Sequence, residues 1–485
     1  MNGAAESYRQ IVRSSSIIGG STIINILIGL LRTKAVALLL GPAGVGLIGL
    51  LQSLMNVAAN VAALGLRTAG TRQIAEAVGR NDVLVIAATR RALFWGTIAL
   101  ALIGAVGIWL LRNLLAVQVF ADPGQATQIG WLALGVALSV AASSQSALLT
   151  GLRRIGDLAR ISLVSSVLST VVGLAAVLIS SDYGVVVFVL TTPASSFVLG
   201  LWFVRRLERL EAPSTSLAVM SAQLSKLLQL GAAFMIGGAV AMLGELAART
   251  LISRGFGAGA LGEFQASWTI SVTYTGLVLG AMGADYYPRL ASAIHDANAA
   301  NRLANEQTEV ALLLAGPMFI GAIGIAPWII EILYSRDFHG AAAILRWQAL
   351  GDILKIASWP LGYFILASGN ARMYLLSEIA ANVVFVAAVW LVLPAIGIEA
   401  TGVSFLLMYA LYLPLVFWIS WRRSGFMWAR RVVVHFAILL VTAAAVFLTA
   451  GWSQKGGAII GSVAALIAAL HAIDRLRQFI GPGNI

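Results

Sequence analysis

Apolar stretches long enough to cross a bilayer recur from one end of the chain to the other, and this repetition constrains the fold more than any single motif. Each runs for about 18–26 residues, and about 20 helical residues span a ~30 Å hydrocarbon core. They fall near 17–40, 47–66, 92–111, 129–150, 161–179, 183–204, 227–252, 264–284, 310–333, 344–368, 374–396, 400–421, 432–452 and 456–473. Barrel strands would instead alternate polar and apolar residues over ~10 positions, so the stretches are read as helices. The first holds Arg32 and Lys34 and lacks a signal-peptide cleavage pattern, which makes it a true span. With 11 % charged and 59 % hydrophobic residues, the chain has too little polar surface to fold as soluble globules. The expected fold is an all-α polytopic membrane protein of about 14 transmembrane helices.

Loop charges give an orientation. The segments on the side of the N-terminus hold 23 of the 32 basic residues, and the opposite ends hold Arg112, Arg249, Arg254, Arg336, Arg346 and Lys455. This bias predicts that both termini are cytoplasmic. The net charge of +12 then describes contact with anionic lipid, and no nucleic-acid partner is expected. The chain has no Cys, which excludes thiol chemistry and Cys-ligated metals, and its four His are scattered. The longest outer loop, around 112–128, leaves no room for a folded catalytic domain and contributes only Asp122 as an acid. A P-loop, a dinucleotide fingerprint and an HExxH pair are all missing from the sequence. The expectation is a transporter rather than an enzyme, with no cofactor; a membrane glycosyltransferase or polymerase is the remote alternative.

Shifting the sequence by 216 residues lays Gly41-Pro-Ala-Gly-Val-Gly46 on Gly257-Ala-Gly-Ala-Leu-Gly262, and Ala75 and Ala77 on Ala291 and Ala293. Six spans separate the copies, so both have the same orientation and form a parallel repeat. The predicted division is an N-lobe at 1–208, a cytoplasmic linker at 209–226 and a C-lobe at 227–421. Two extra spans and a cytoplasmic tail follow at 422–485.

Charges at bilayer depth cost roughly 2.5–3.5 kcal/mol on insertion scales, so each one asks for a reason. In the second span Gln52, Asn56, Asn60 and, beyond them, Arg67 follow the helical period as one polar stripe. In the first span Asn25 and Arg32 share a face, while Lys34 points ~200° away from Arg32 on a regular helix. Glu245 and Arg249 stand one turn apart, as do Asp352 and Lys355, and Asp285 closes the eighth span beside Arg289. Structural ion pairs and interfacial snorkelling are the plain alternatives to a functional role for these groups. Together the residues suggest an interior biased positive, suited to an anionic substrate.

The run from Lys34 through Gly41 to Gly46 resembles the first hairpin of the O-antigen and related polysaccharide translocases. These are lipid-linked oligosaccharide flippases of the multidrug/oligosaccharidyl-lipid/polysaccharide (MOP) exporter superfamily. Arg249 to Gln265 and Ala284 to Leu290 resemble their seventh and eighth helices; Gln348, Gly351, Asp352, Lys355, Trp359 and Tyr363 resemble their tenth. The resemblance implies two six-helix lobes around a central cavity. It implies a substrate, undecaprenyl-pyrophosphate-linked oligosaccharide, moved from the cytoplasmic to the periplasmic leaflet of a bacterial inner membrane. A polysaccharide polymerase and a chain-length regulator are possible partners. Arg32, Lys34, Arg249 and Arg67 are the candidate cavity cations, and Asn25, Gln52, Asn56 and Asn60 the candidate polar lining. Glu245, Asp285, Asp352 and Lys355 are candidates for ion pairing or for coupling to protons, sodium or the membrane potential. A peptidoglycan lipid-precursor flippase and a multidrug or cation antiporter of the same superfamily are the alternatives.

Overall fold

The computed structural model describes the backbone of residues 2–207 and 217–480, and the side chains of 19–207 and 221–478 except positions 181, 182, 233, 234, 237, 281 and 284. Among the described residues there is no strand. The helices are α1 (Asn2–Ala63), α2 (Leu66–Gly79), α3 (Val83–Val119), α4 (Ala126–Gly151), α5 (Ile155–Ile179), α6 (Ser181–Arg205) and α7 (Leu217–Ala293). They continue as α8 (Ala297–Leu333), α9 (Ala341–Ala367), α10 (Ala371–Ile396), α11 (Ala400–Ser424), α12 (Arg430–Trp452) and α13 (Gln454–Ile480). Ten described segments are long and apolar enough to cross a membrane. Two of them, Gly19–Ala63 and Ala371–Ser424, are long enough for two crossings each. The stretches expected at 227–252 and 264–284 both lie in α7. The chain is an all-α polytopic membrane protein.

The two longest helices are each broken once, at the glycines that the 216-residue shift superposes. Gly41 has φ 61° and ψ −168°, and Gly257 has φ 80° and ψ −179°. That region is essentially closed to residues with a Cβ, so a glycine at each place lets one long helix become a hairpin of two spans. The closing glycines of the same motifs do a second job. A Cβ on Gly46 would lie 2.7 Å from the Gly262 nitrogen, and one on Gly262 would collide with the Pro42 carbonyl. The two turns thus touch backbone to backbone.

Contacts divide the chain into two compact units, 1–40 with 47–246, and 41–46 with 247–485. In the first, α3 packs on α4, α5 on α6, and α4 on α6. In the second, α9 is central: it packs on α8 and α11, and most of its surface is buried. The helices α12 and α13 pack on each other and on α8.

Three expectations change. Of the segment expected as a linker, 209–216 lies outside the described residues, and 217–226 is already helical. There Gln223 Nε2 donates to Gln73 Oε1 at 2.9 Å and to Thr89 Oγ1 at 3.0 Å. The outer loop expected at 112–128 is much shorter, because α3 runs to Val119 and Asp122 caps a turn over Pro123–Gln125 by accepting from the Gly124 N–H at 2.9 Å. The second span ends at Ala63, since Leu64 and Gly65 both have positive φ, and a separate helix, α2, follows. Its buried face, Leu66, Ala69, Gly70, Ile74 and Ala77, has helical spacing.

The glycine positions predict a graded response. Gly257→Ala should lower stability by about 1–3 kcal/mol, because the backbone there excludes a Cβ. Gly259→Ala, where a Cβ meets open space, should be neutral or stabilising by up to ~1 kcal/mol. Melting temperatures of the two variants in detergent check this, and an equal effect of both would refute it.

Candidate functional site

The polar residues of the spans gather at distinct places in the two units. In the first unit, Asn25 and Arg32 lie two turns apart on α1 and meet Ser162 and Ser169, which lie two turns apart on α5. Asn25 Nδ2 donates to Ser162 Oγ at 2.8 Å, and Arg32 Nη1 to Ser169 Oγ at 3.4 Å. Equal steps in the same direction show that α1 and α5 run parallel here, as the first and fifth spans of an up-and-down bundle must. Arg32 Nη1 also donates to Thr192 Oγ1 at 3.0 Å and Nη2 to the Phe188 carbonyl at 3.4 Å, while its Cζ lies 4.1 Å from the centre of the Phe188 ring. The guanidinium is thus held by hydroxyls, a carbonyl and an aromatic face, a set that offsets desolvation without a formal negative charge. Lys34 is half-buried two residues on.

The stripe of the second span is only partly as expected. Gln52 and Asn60 are half-buried and Asn56 is exposed in the middle of an otherwise apolar helix. Arg67 does not continue it. The left-handed residues at 64 and 65 turn the chain, so Arg67 stands exposed on α2 instead of one turn further along the same face.

In the second unit Arg249 is 3 % exposed. Its Nε and Nη2 donate to Gln265 Oε1 at 3.1 and 2.8 Å, across the break at Gly257, and Gln265 Nε2 donates onward to Thr269 Oγ1 at 3.0 Å. Gln265 orients the guanidinium with a dipole and adds no charge of its own. Glu245 is half-buried. Asp285 is exposed and pairs with Arg289 at 3.0 Å, an exposed i,i+4 ion pair of the kind worth about 0–1 kcal/mol.

A fully buried polar group lies on α9. Gln348, Asp352 and Lys355 recur at helical spacing on one face of this buried helix. Asp352 is fully buried; its Oδ2 accepts from Ser271 Oγ at 2.6 Å, and its Oδ1 lies 3.9 Å from Lys355 Nζ. Lys355 Nζ is also 5.7 Å from the Phe405 ring and 5.9 Å from the Tyr409 ring. Asp352 Oδ1, both amide atoms of Gln348 and the Tyr274 hydroxyl are buried without a hydrogen-bond partner. Buried polar atoms are nearly always satisfied, and an orphan costs about 1–3 kcal/mol. Several orphans on and beside one helix therefore mark a place that suits water or a small cation. Beside it, Tyr412 donates to Glu378 Oε1 at 2.6 Å.

The sequence reading missed Gln265, Ser271, Ser169 and Thr192. Single hydroxyls and amides in apolar helices carry no local signal; only the fold brings them to an arginine or an aspartate.

Comparison with known proteins decides the family. A family model described as polysaccharide biosynthesis protein matches residues 35–343. The chain belongs to this family. The lipid III flippase of Escherichia coli K12 is 27% identical over 114 residues, covering 22% of this chain and 27% of the flippase, so the chain spans about a quarter of the length of that curated relative. The solved lipid II flippase MurJ, in an inward closed conformation, matches with a TM-score of 0.70 at 11% identity, covering 97% of this chain and 99% of that one. An inward-facing multidrug resistance MATE family transporter of the MOP superfamily matches with a TM-score of 0.64 at 17% identity, covering 83% and 94%. The fold is that of MOP-superfamily transporters, and coverage of 97% extends the MurJ likeness over α12 and α13.

The Arg249–Gln265 pair yields a prediction. Gln265→Leu removes the acceptor of two guanidinium donors and should cost about 1–3 kcal/mol, read as a lower melting temperature in detergent. Gln265→Glu keeps an acceptor and should leave the melting temperature within about 2 °C of the parent protein.

Proposed function

We propose that this family member flips a lipid-linked oligosaccharide diphosphate from the cytoplasmic to the periplasmic leaflet of a bacterial inner membrane. The observation that carries the reading is Arg249, a buried cation whose Nε and Nη2 both donate to Gln265 Oε1. A diphosphate leaving water loses strong hydrogen bonds, and bidentate guanidinium contacts replace them best. In the first unit Lys34 is a second candidate cation, and Arg32, bonded to α5 and α6, holds the first span in register. Asn56 and its stripe offer hydrogen bonds to sugar hydroxyls. Outward movement of an anion is assisted by an inside-negative potential at ~2.3 kcal/mol per net charge per 100 mV. Asp352 is the coupling group for a returning proton or sodium ion, because it is a fully buried carboxylate whose Oδ1 has no hydrogen-bond partner and stands 3.9 Å from Lys355 Nζ. An O-antigen-type repeat unit is the substrate of this reading; a peptidoglycan lipid precursor shares the diphosphate and is kept as a second reading because the MurJ likeness runs the length of the chain.

Arg249→Gln in a deletion strain should reduce surface polysaccharide at least about tenfold, the effect of losing ~1.4 kcal/mol from one charge contact. Arg249→Lys should keep part of it, and Gln265→Glu, by placing a carboxylate on the Arg249 donors, should lower it while the protein stays folded. Unchanged surface glycan in Arg249→Gln would sink the proposed role.

Coupling has its own test. In proteoliposomes, imposing a proton or sodium gradient should change the flipping rate of the parent protein, and Asp352→Asn should abolish that response. A variant that responds like the parent removes Asp352 from the mechanism.

A further inference from the structure

The four histidines are far apart in sequence, yet the fold brings two of them together. His435, early in α12, and His471, late in α13, place their Nε2 atoms 3.3 Å apart. The ring centres are 5.4 Å apart and the planes are inclined by 56°, so the rings meet through these nitrogens and do not stack. Two nitrogens bound at 2.0–2.1 Å to one tetrahedral zinc ion stand about 3.3–3.4 Å from each other. The observed separation matches that geometry.

The far side of His435 fits as well. A histidine that ligates a metal through one nitrogen usually presents its other N–H to a carboxylate, which fixes the ring and its tautomer. His435 Nδ1 is buried without a hydrogen-bond partner, and it faces Glu309 Oε1 on α8 at 3.7 Å. Glu309 is 1 % exposed, and Arg431 Nε pairs with its other oxygen at 2.9 Å, so the carboxylate is held in place. A neutral ring with its proton on Nδ1 directs the Nε2 lone pair at His471. Two lone pairs facing each other repel unless a cation lies between them. Among the described residues no three His, Cys, Asp or Glu side chains are grouped to ligate one ion. Glu309 therefore stands behind the histidine and not on the metal.

The scaffold is rigid. The helices α8, α12 and α13 all pack on one another. A Cβ on Gly324 of α8 would lie 2.8 Å from the Gly457 carbonyl oxygen and the Gly461 Cα of α13, so these two helices touch backbone to backbone. His471 is exposed, which gives an ion a way in and water for its remaining positions.

We propose that His435 and His471 bind one divalent transition-metal ion of the Zn²⁺ type through their Nε2 atoms, with Glu309 as the positioning carboxylate. Imidazole ligands suit Zn²⁺, Cu²⁺ and Ni²⁺. The ion clips α12 to α13 and, through Glu309, to α8. None of the transport residues takes part, so the test does not depend on the proposed function.

The whole protein, purified in detergent with a histidine-free tag and stripped with EDTA, is titrated with ZnCl₂ by calorimetry. It should take up one ion per chain. His435→Gln and His471→Gln should each weaken binding by at least about tenfold, and Glu309→Gln by about tenfold, the loss expected when the outer partner of a ligating histidine is removed. His339→Gln, in the segment before α9, should leave binding unchanged. Cu²⁺ gives a readout that needs no variant. Electron paramagnetic resonance of the parent protein with one equivalent should show splitting from two nitrogen ligands. Glu309→Gln should keep that pattern while binding more weakly, which a carboxylate on the metal would not allow. No binding by the parent protein, a copper spectrum with fewer than two nitrogens, or parental affinity in His471→Gln would overturn the site. The pair would then be a hydrogen bond between α12 and α13. Equal loss in His339→Gln would overturn it too, by assigning the binding to scattered histidines.

Discussion

A helix in a bilayer satisfies its own backbone groups, so two helices can bring their backbones together only where side chains are absent. The chain uses that exception at the two motifs Gly41–Gly46 and Gly257–Gly262. The first glycine of each motif takes a backbone conformation closed to other residues, and the last removes the atom that would keep the two turns apart. Much else follows from these two breaks. They set where a span ends and the next begins, and in the second unit they bring Arg249 on one side of the break opposite Gln265 on the other. A larger residue at either closing glycine would shift the turns and, with the second, the geometry around Arg249.

The two units handle buried polarity differently. The first holds Arg32 with hydroxyls, one carbonyl and a ring, all partners that stabilise a cation without cancelling it. The second keeps a carboxylate and an amine 3.9 Å apart on its most buried helix, too far for a hydrogen bond, with a serine hydroxyl on the carboxylate's other oxygen. Such an arrangement is a poor choice if the aim is stability alone, since apolar residues of similar volume would serve as well or better. Groups of this kind in a membrane interior are functional candidates for that reason.

Periodicity and composition made the spans legible, because a ~30 Å core imposes a length that no soluble fold requires. The glycine pairs were legible too, since two identical backbone needs left identical residues 216 positions apart. What escaped was local or tertiary. The helix α2 was hidden because its face is short and weakly apolar, although the spacing of Leu66, Ala69, Ile74 and Ala77 is helical. Arg67 was assigned to the stripe above it because a positive φ at Leu64, a residue with no preference for it, cannot be read from the residue type. Asp352 and Lys355 stood out by charge, and Asn25 and Arg32 by period. Their partners Ser271, Ser162 and Thr192 did not, as a serine or threonine in an apolar helix is unremarkable until the fold sets it beside a charge.

The contrast between Arg249 and Asp285 shows what separates a candidate site residue from a structural one. Both are charged, both sit on α7, and both have a basic or acidic residue four positions away. Asp285 is open to solvent and its ion pair with Arg289 is screened, so its removal changes little beyond the local helix. Arg249 is enclosed, and Gln265 gives it two hydrogen bonds whose direction is fixed by the helix beyond the break. Enclosure raises the strength of every interaction the guanidinium makes, including one with an incoming anion, and orientation removes the entropy that a free arginine would lose on binding it. A charge kept buried and held in one direction is thus prepared for a ligand in a way that an exposed, screened pair is not.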